Sequence, residues 1–223
     1  GIIMSIGIGE NLSDSFSFAK DKLGGNFGNW LVLAVLNIIP ILNWIVWGTY
    51  VKVLRREAPD LNNMGKSLGD GLLALIITFL YLLIPAIIAF FLGIGSIFAG
   101  FGLGMVTMGQ SAAGGAGLIG GFVGFLLCII VFILFSLLLI PALVNFARNG
   151  FGAAFSFGTI FGMISKAGWL KYILSIILLW IIFGVIIAIC VMLFFIIIGI
   201  PILILIMPFL YCWGAKYFAN LFE

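Results

Sequence analysis

Histidine is absent from the 223 residues, and the seven acidic side chains all lie in polar segments or at the C-terminus. Acid–base catalysis, nucleophilic attack and metal-assisted hydrolysis each need a titratable or ligating group inside a shielded site. Cys128, Cys190 and Cys212 sit within apolar runs, without CxxC spacing, and read as small buried hydrophobes rather than a disulfide or metal site. The glycine-rich stretch 112–121 lacks the Gly-Lys-Ser/Thr ending of a phosphate loop. These absences predict a protein that is not an enzyme and takes no cofactor or metal. A net charge of +3 is too small to indicate nucleic acid. Ion-coupled transport usually leaves a charged residue among the membrane helices, and none occurs in 71–147 or 172–215.

Two groupings remain. Asn37, Pro40 and Asn43 interrupt an otherwise apolar run over 30–51. Proline removes a helical hydrogen bond and kinks or breaks the helix, and the two amides lie where freed carbonyls need donors. A polar site at this break is one reading; local capping of a kink is the other. Lys52, Arg55 and Arg56 form a basic turn directly after that run. It suits anionic lipid headgroups, at about 1 kcal/mol per charge near the surface, or ordinary positive-inside anchoring. The other polar groups at depth are Thr78, Tyr81, Ser136, Asn145 and Ser175.

The elements that must position these residues follow from composition. Hydrophobic residues make up 65% of the chain and charged residues 8%, with a mean hydropathy of +1.39. A soluble domain carries roughly a quarter charged residues, so too little polar surface exists to coat a globule in water. The apolar runs are continuous rather than alternating, and in hydrocarbon such runs satisfy their backbone only as helices. The chain therefore reads as an all-α, polytopic integral membrane bundle forming one membrane domain. It has four to five transmembrane helices plus two amphipathic interfacial helices. The spans fall at 71–98, 118–146, 169–189 and 194–213, with 30–51 as a broken or re-entrant segment. The uncharged, glycine-rich stretch 99–117 reads as a loop or loosely helical link.

Residues 11–27 and 149–165 carry amphipathic patterns. Leu12, Phe16, Ala19, Leu23 and Phe27 share the first stripe, and Ala154, Phe157, Phe161 and Ile164 the second. The first helix either lies in the headgroup plane or packs on the bundle. Phe16-Ser17-Phe18 precedes Trp30-Leu31 by the interval at which Phe155-Ser156-Phe157 precedes Trp169-Leu170, a weak sign of internal duplication. Glycine pairs Gly117/Gly121, Gly120/Gly124, Gly100/Gly104 and Gly158/Gly162 have the spacing that lets helices approach closely, within the chain or in a homo-oligomer. No cleavable signal peptide is expected, and Met4 is a candidate start.

Lys and Arg favour the cytoplasmic side of short loops. If 30–51 crosses fully, Lys20 and Lys22 lie opposite the other eight basic residues. If it re-enters, all ten lie on one side, which the rule favours. Both arrangements place residues 52–70 and the C-terminus in the cytoplasm. Membrane lipids, and other membrane-protein subunits or further copies of the chain, are the expected partners.

The run Ile39-Pro40-Ile41-Leu42-Asn43, then Gly48-Thr49-Tyr50-Val51-Lys52-Val53-Leu54-Arg55-Arg56, then Gly65-Lys66-Ser67-Leu68-Gly69-Asp70-Gly71-Leu72 resembles domain-of-unknown-function family 4013, archaeal and bacterial multi-pass membrane proteins. The likeness is close over about a third of the chain. Where that family often carries Trp-Asp-Asp, this chain reads Leu61-Asn62-Asn63-Met64. The resemblance implies a multi-pass membrane protein and brings no activity.

Overall fold

The computed structural model describes residues 7–108, 110–194 and 199–222, and Met4 lies outside them. Among the described residues there are no strands. The helices are α1 (Ile8–Ala19), α2 (Phe27–Ile38), α3 (Asn43–Leu54), α4 (Met64–Met108), α5 (Gln110–Asn149), α6 (Phe157–Ala167), α7 (Trp169–Phe194) and α8 (Gly199–Leu221). A π turn over Lys20–Gly24 continues α1, and a 3-10 turn over Phe151–Phe155 precedes α6. Four stretches are long and apolar enough to cross a membrane: Met64–Gly100, Ile119–Asn149, Trp169–Met192 and Pro201–Leu221.

Element bounds differ from the sequence expectation in two places. The stretch 99–117 is helical wherever it is described, α4 running to Met108 and α5 starting at Gln110. Glycine weakens a helix by only about 1 kcal/mol per residue, and in an apolar solvent a continuous backbone ladder outweighs that cost. The last two spans are also shifted, α7 running through Phe194 rather than ending at 189 and α8 beginning at Gly199 rather than 194.

The chain divides into two compact units. The first holds residues 1–75 and 140–223, the second 76–139. In the first, α8 is the hub, packed by α1, α2, α3 and α7. Its core includes Leu23, Leu33, Val46, Tyr50, Val53, Leu210, Cys212 and Trp213.

The amphipathic segments do form, with their stripes rotated. On α1 and its π turn the buried positions are Asn11, Ser15, Ala19 and Leu23, while Phe16 and Phe27 are exposed. Small residues let α1 sit close on α8. There the Asn11 amide donates to Tyr217 O at 2.9 Å, and the Trp213 indole N–H to Leu12 O at 3.2 Å. In the second segment Ala154, Ile160 and Ile164 are buried, while Phe157 and Phe161 face outward. Apolar periodicity located the helices, but not which apolar residues a close-packed seam admits. The proposed repeat is unequal: α2 stops after 12 residues, whereas α7 runs 26.

The second unit is two helical arms, from α4 and α5, in close contact. A Cβ added at Gly120 would lie 2.2 Å from Ser96 O, and one at Gly124 would lie 2.0 Å from Ser96 Oγ. The Cys128 thiol donates to Ala89 O at 3.1 Å. Gly120/Gly124 thus serve the close approach that their spacing suggested, within one chain. Gly158 and Gly162 have nothing within 4 Å of an added Cβ.

Candidate functional site

Helix α3 carries both groupings singled out from the sequence, one at each end, and it is buried almost throughout. Ile45, Val46 and the whole run from Gly48 to Leu54 are buried.

At its start, the run 30–51 is two helices rather than one kinked helix. Each half has 12 residues, or about 18 Å, against the roughly 30 Å of a bilayer core. Ile39, forced out of the helical region by the following proline, is extended. Ile41 then takes φ 73°, a left-handed conformation that costs a β-branched residue of order 1–3 kcal/mol. Backbone bonds close the break: the Asn43 N–H donates to Ile39 O at 2.9 Å, and the Leu42 N–H to Pro40 O at 2.9 Å. Pro40 is exposed, Asn37 half-buried on α2, and Asn43 half-buried at the first turn of α3. The Asn43 Oδ1 is buried and unpartnered.

α2 and α3 pack against each other. Near the start of α2, the Asn29 amide donates to Pro59 O at 2.7 Å, just beyond the end of α3. The two arms therefore return to the same loop.

At the other end of α3, the basic turn is built into the fold. Lys52 is 5% exposed. Its ammonium donates to Asp60 Oδ1 at 2.9 Å, to Asp60 O at 3.1 Å, and to Asn62 O. The Lys52 hydrogen bond holds the Asp60 carboxyl below the usual carboxylate range. Asn62 adds to this, and partial burial opposes it. Arg55 donates from Nη1 to Asp70 Oδ2 at 2.6 Å and from Nε to Ala147 O, joining the end of α3 to the start of α4 and the end of α5. Arg56 is exposed, with φ 71°. It occupies the left-handed position of a Schellman cap: the Arg56 N–H donates to Val53 O at 2.8 Å, and the Glu57 N–H to Lys52 O at 2.9 Å. Of the three cations of this turn, Lys52 and Arg55 bond Asp60, Asn62, Asp70 and Ala147 within the chain.

Next to this turn Arg148 caps α8, donating to Phe222 O and Ala219 O, both at 2.7 Å. One end of the first unit therefore gathers the ends of α3, α5 and α8 and the start of α4.

Between its two ends α3 uses glycine and aromatics. A Cβ on Gly48 would lie 1.8 Å from Ser67 O, and one on Gly71 would lie 1.8 Å from Trp44 O, so α3 and α4 cross backbone to backbone. On another face Trp47 and Tyr50 line an apolar cavity of about 230 Å³. Leu143 from α5, Phe183 from α7, and Tyr211 and Gly214 from α8 complete much of its wall. Tyr50 and Tyr211 lie 5.0 Å apart between ring centroids. The Tyr50 hydroxyl is buried without a hydrogen-bond partner. Sequence reasoning missed this cavity, because its walls come from five helices scattered along the chain, Ala74 of α4 among them. Trp44, Trp47 and Tyr50 at three-residue spacing were the only local signal.

No group of three or more Cys, Asp and Glu that could hold a metal occurs among the described residues. Four long apolar helices, a broken helix pair and the absence of charged residues from 71–147 and 172–215 define a multi-pass membrane-type helical protein. The chain belongs to the family described as a protein of unknown function, DUF4013, which matches residues 32–195. No curated protein and no solved structure matches it.

Proposed function

We propose that this chain is a non-enzymatic structural or accessory subunit of a membrane complex, packing against other membrane proteins and lipids. The observation that carries this reading is where the strong polar groups go. Lys52, Arg55, Arg148, Asn29 and Asn145 each close bonds within the first unit. Their partners are the chain's own carbonyls and carboxylates, which suits a scaffold. Meanwhile α4, α5 and α7 present long apolar faces, including Phe90, Phe91, Phe125, Trp180 and Ile181.

In this reading residues 52–70 and the C-terminus are cytoplasmic, and the α2–α3 pair re-enters from that side. The Asn29–Pro59 bond supports re-entry, since it ties the start of α2 to the loop after α3. The exposed phenylalanines Phe157 and Phe161 suit the interfacial depth at which aromatic side chains gather.

Mild detergent extraction of the native protein, followed by quantitative identification of what travels with it, tests the role. A different membrane protein at fixed stoichiometry is the expected result. A lone oligomer enclosing a polar cavity at Asn37 and Asn43 supports instead a small-molecule or lipid conduit. The unpartnered Asn43 Oδ1 and the strained Ile41 at the break favour that second reading. Labelling of Ser17→Cys and Asn63→Cys from each side of sealed vesicles tests the topology, with both expected to react from the cytoplasmic side.

A further inference from the structure

We infer that α6 and the first turn of α7 form a seat for an anionic membrane lipid. Aromatic rings lie among its upper chain carbons, and Lys166 and Lys171 meet its phosphate. This rests on the interfacial reading of α6 and is independent of the accessory role.

The fold puts this corner at the end of the first unit where α5 and α8 finish. Asn145, near the end of α5, donates to Ala153 O at 2.8 Å. The Tyr172 ring lies 5.3 Å from the Phe222 ring, centroid to centroid. α6 packs on α7, and the chain turns between them at Gly168, with φ 87°. α7 has 26 residues, about 39 Å of helix, against roughly 30 Å of hydrocarbon in a bilayer. Its first turn therefore reaches the headgroup layer. An exposed apolar stripe runs along α7 through Leu170, Leu174, Ile177, Ile181, Val185 and Ile189. Lipid chains covering this stripe end, at its Leu170 side, beside α6.

Two rows of α6 face outward. Phe157, Phe161 and Ser165 form one, and Gly158, Gly162 and Lys166 the other. The Phe161 ring meets the exposed Trp169 ring with centroids 5.9 Å apart, joining the first row to α7. Aromatic side chains of this kind settle where chains give way to headgroups. A Cβ on Gly158 or Gly162 would have nothing within 4 Å, so the second row is an open track leading to exposed Lys166.

Charge selects the lipid. No acidic residue occurs from 71 to 222. Elsewhere Asp60 pairs with Lys52, Asp70 with Arg55, and Asp14 accepts from the Asn220 amide. A lipid phosphate supplies the countercharge at the depth where the rings meet the chains. An acidic protein segment in the cytoplasm would reach the lysines but leave the rings uncovered. Each lysine is expected to add about fivefold to the preference for an anionic over a zwitterionic lipid.

The test uses the full chain in nanodiscs of mixed phosphatidylcholine and phosphatidylglycerol. One of the two carries a diazirine beside its headgroup, and adducts are mapped by mass spectrometry. The ratio of phosphatidylglycerol to phosphatidylcholine adducts on 157–171 is expected to exceed that around Ile181 on α7. Lys166→Gln should lower this ratio about fivefold, and adding Lys171→Gln should bring it to the value around Ile181. Lys166→Arg should keep the ratio, and Arg56→Gln, in the separate basic turn, should leave it unchanged. Equal ratios at the two places, a Lys166→Gln protein labelled like the parent, or an Arg56→Gln protein that falls as far would overturn the inference while leaving α6 at the interface. Competition by glycerol phosphate would assign the lysines to a soluble anion and overturn it as well. Absence of adducts of either lipid on α6 would overturn the interfacial reading with it. In native vesicles, a crosslink from Lys166 to another protein in place of lipid adducts would give the corner to a protein partner and also overturn the inference.

Discussion

The two units solve the same problem, holding helices together, by different means. The second, residues 76–139, has no charged side chain. With lipid tails as solvent there is no hydrophobic drive to associate its arms. Their contacts include close packing at Gly120 and Gly124, the edge-on ring pair Tyr81–Phe135, and the thiol bond from Cys128 to Ala89 O. The first unit holds every charged residue of the chain and pins helix ends with Lys52, Arg55 and Arg148, adding backbone-to-backbone glycine contact where α3 crosses α4. The contrast teaches that glycine can replace polar bonds where two long helices run side by side. Short helices that change direction need directional bonds at their ends.

The largest expected effect probes the α3–α4 crossing. Gly48→Ala drives a Cβ into the Ser67 carbonyl, and rigid backbone must move. A loss of about 3 kcal/mol or more, or failure to accumulate folded protein, is expected. Gly124→Ala should cost less, about 1–2 kcal/mol, since the Ser96 hydroxyl it meets can rotate away, leaving the Gly93 Cα at 3.1 Å and the Ser96 Cβ at 3.2 Å to give by a few tenths of an ångström. Reversible unfolding in detergent, followed by circular dichroism, compares the two. Equal losses would remove the distinction between the units at these glycines.

The next effect concerns polar pinning. Arg55→Met leaves the largely buried Asp70 carboxylate unpaired, with Arg55 and Asp70 side chains 19% and 13% exposed. A loss of about 2 kcal/mol is expected. The double variant Arg55→Met/Asp70→Leu should recover part of it. If the double variant is as unstable as the single one, Asp70 is not what the arginine serves.

Strain gives a smaller change of opposite sign. Ile41→Gly relieves the left-handed backbone at the break and should stabilise the first unit by about 1 kcal/mol. If the conduit reading holds instead, that substitution should alter transport as well as the melting temperature.

The smallest effect is the pH dependence of the Lys52–Asp60 pair. The folded Asp60 carboxyl titrates below its ordinary value of 3.8. Its contribution is therefore fully present above the unfolded carboxylate range and fades as pH falls through the lowered value. Asp60 is 46% exposed, so solvent screening keeps the effect small. The melting temperature of the parent should drop slightly more than that of Asp60→Asn on acidification. Parallel curves would show that the pair adds nothing.

Much of the fold was legible in the sequence because its causes are local. Charge-free runs, continuous apolar character and one proline set the helices and the break without reference to the rest of the chain. Seam details were not legible. Phe16 and Phe161 fit an apolar stripe as well as Asn11 and Ser15 fit a polar one. Only the closeness of α1 to α8 admits Asn11 and Ser15 to the seam and moves Phe16 to its edge, where its ring meets Phe209 and Trp213.

The same holds for the sites. By itself the sequence determined that the chain is all-helical, suited to a membrane and interrupted at Pro40, since solvent and backbone hydrogen bonding dictate these residue by residue. Tertiary structure alone decided that Lys52 and Arg55 find partners within the protein, that Gly48 rather than Gly158 marks a close crossing, and that Trp47 and Tyr50 face a cavity. Each depends on which distant segments meet, and no local pattern encodes the shape left between five helices.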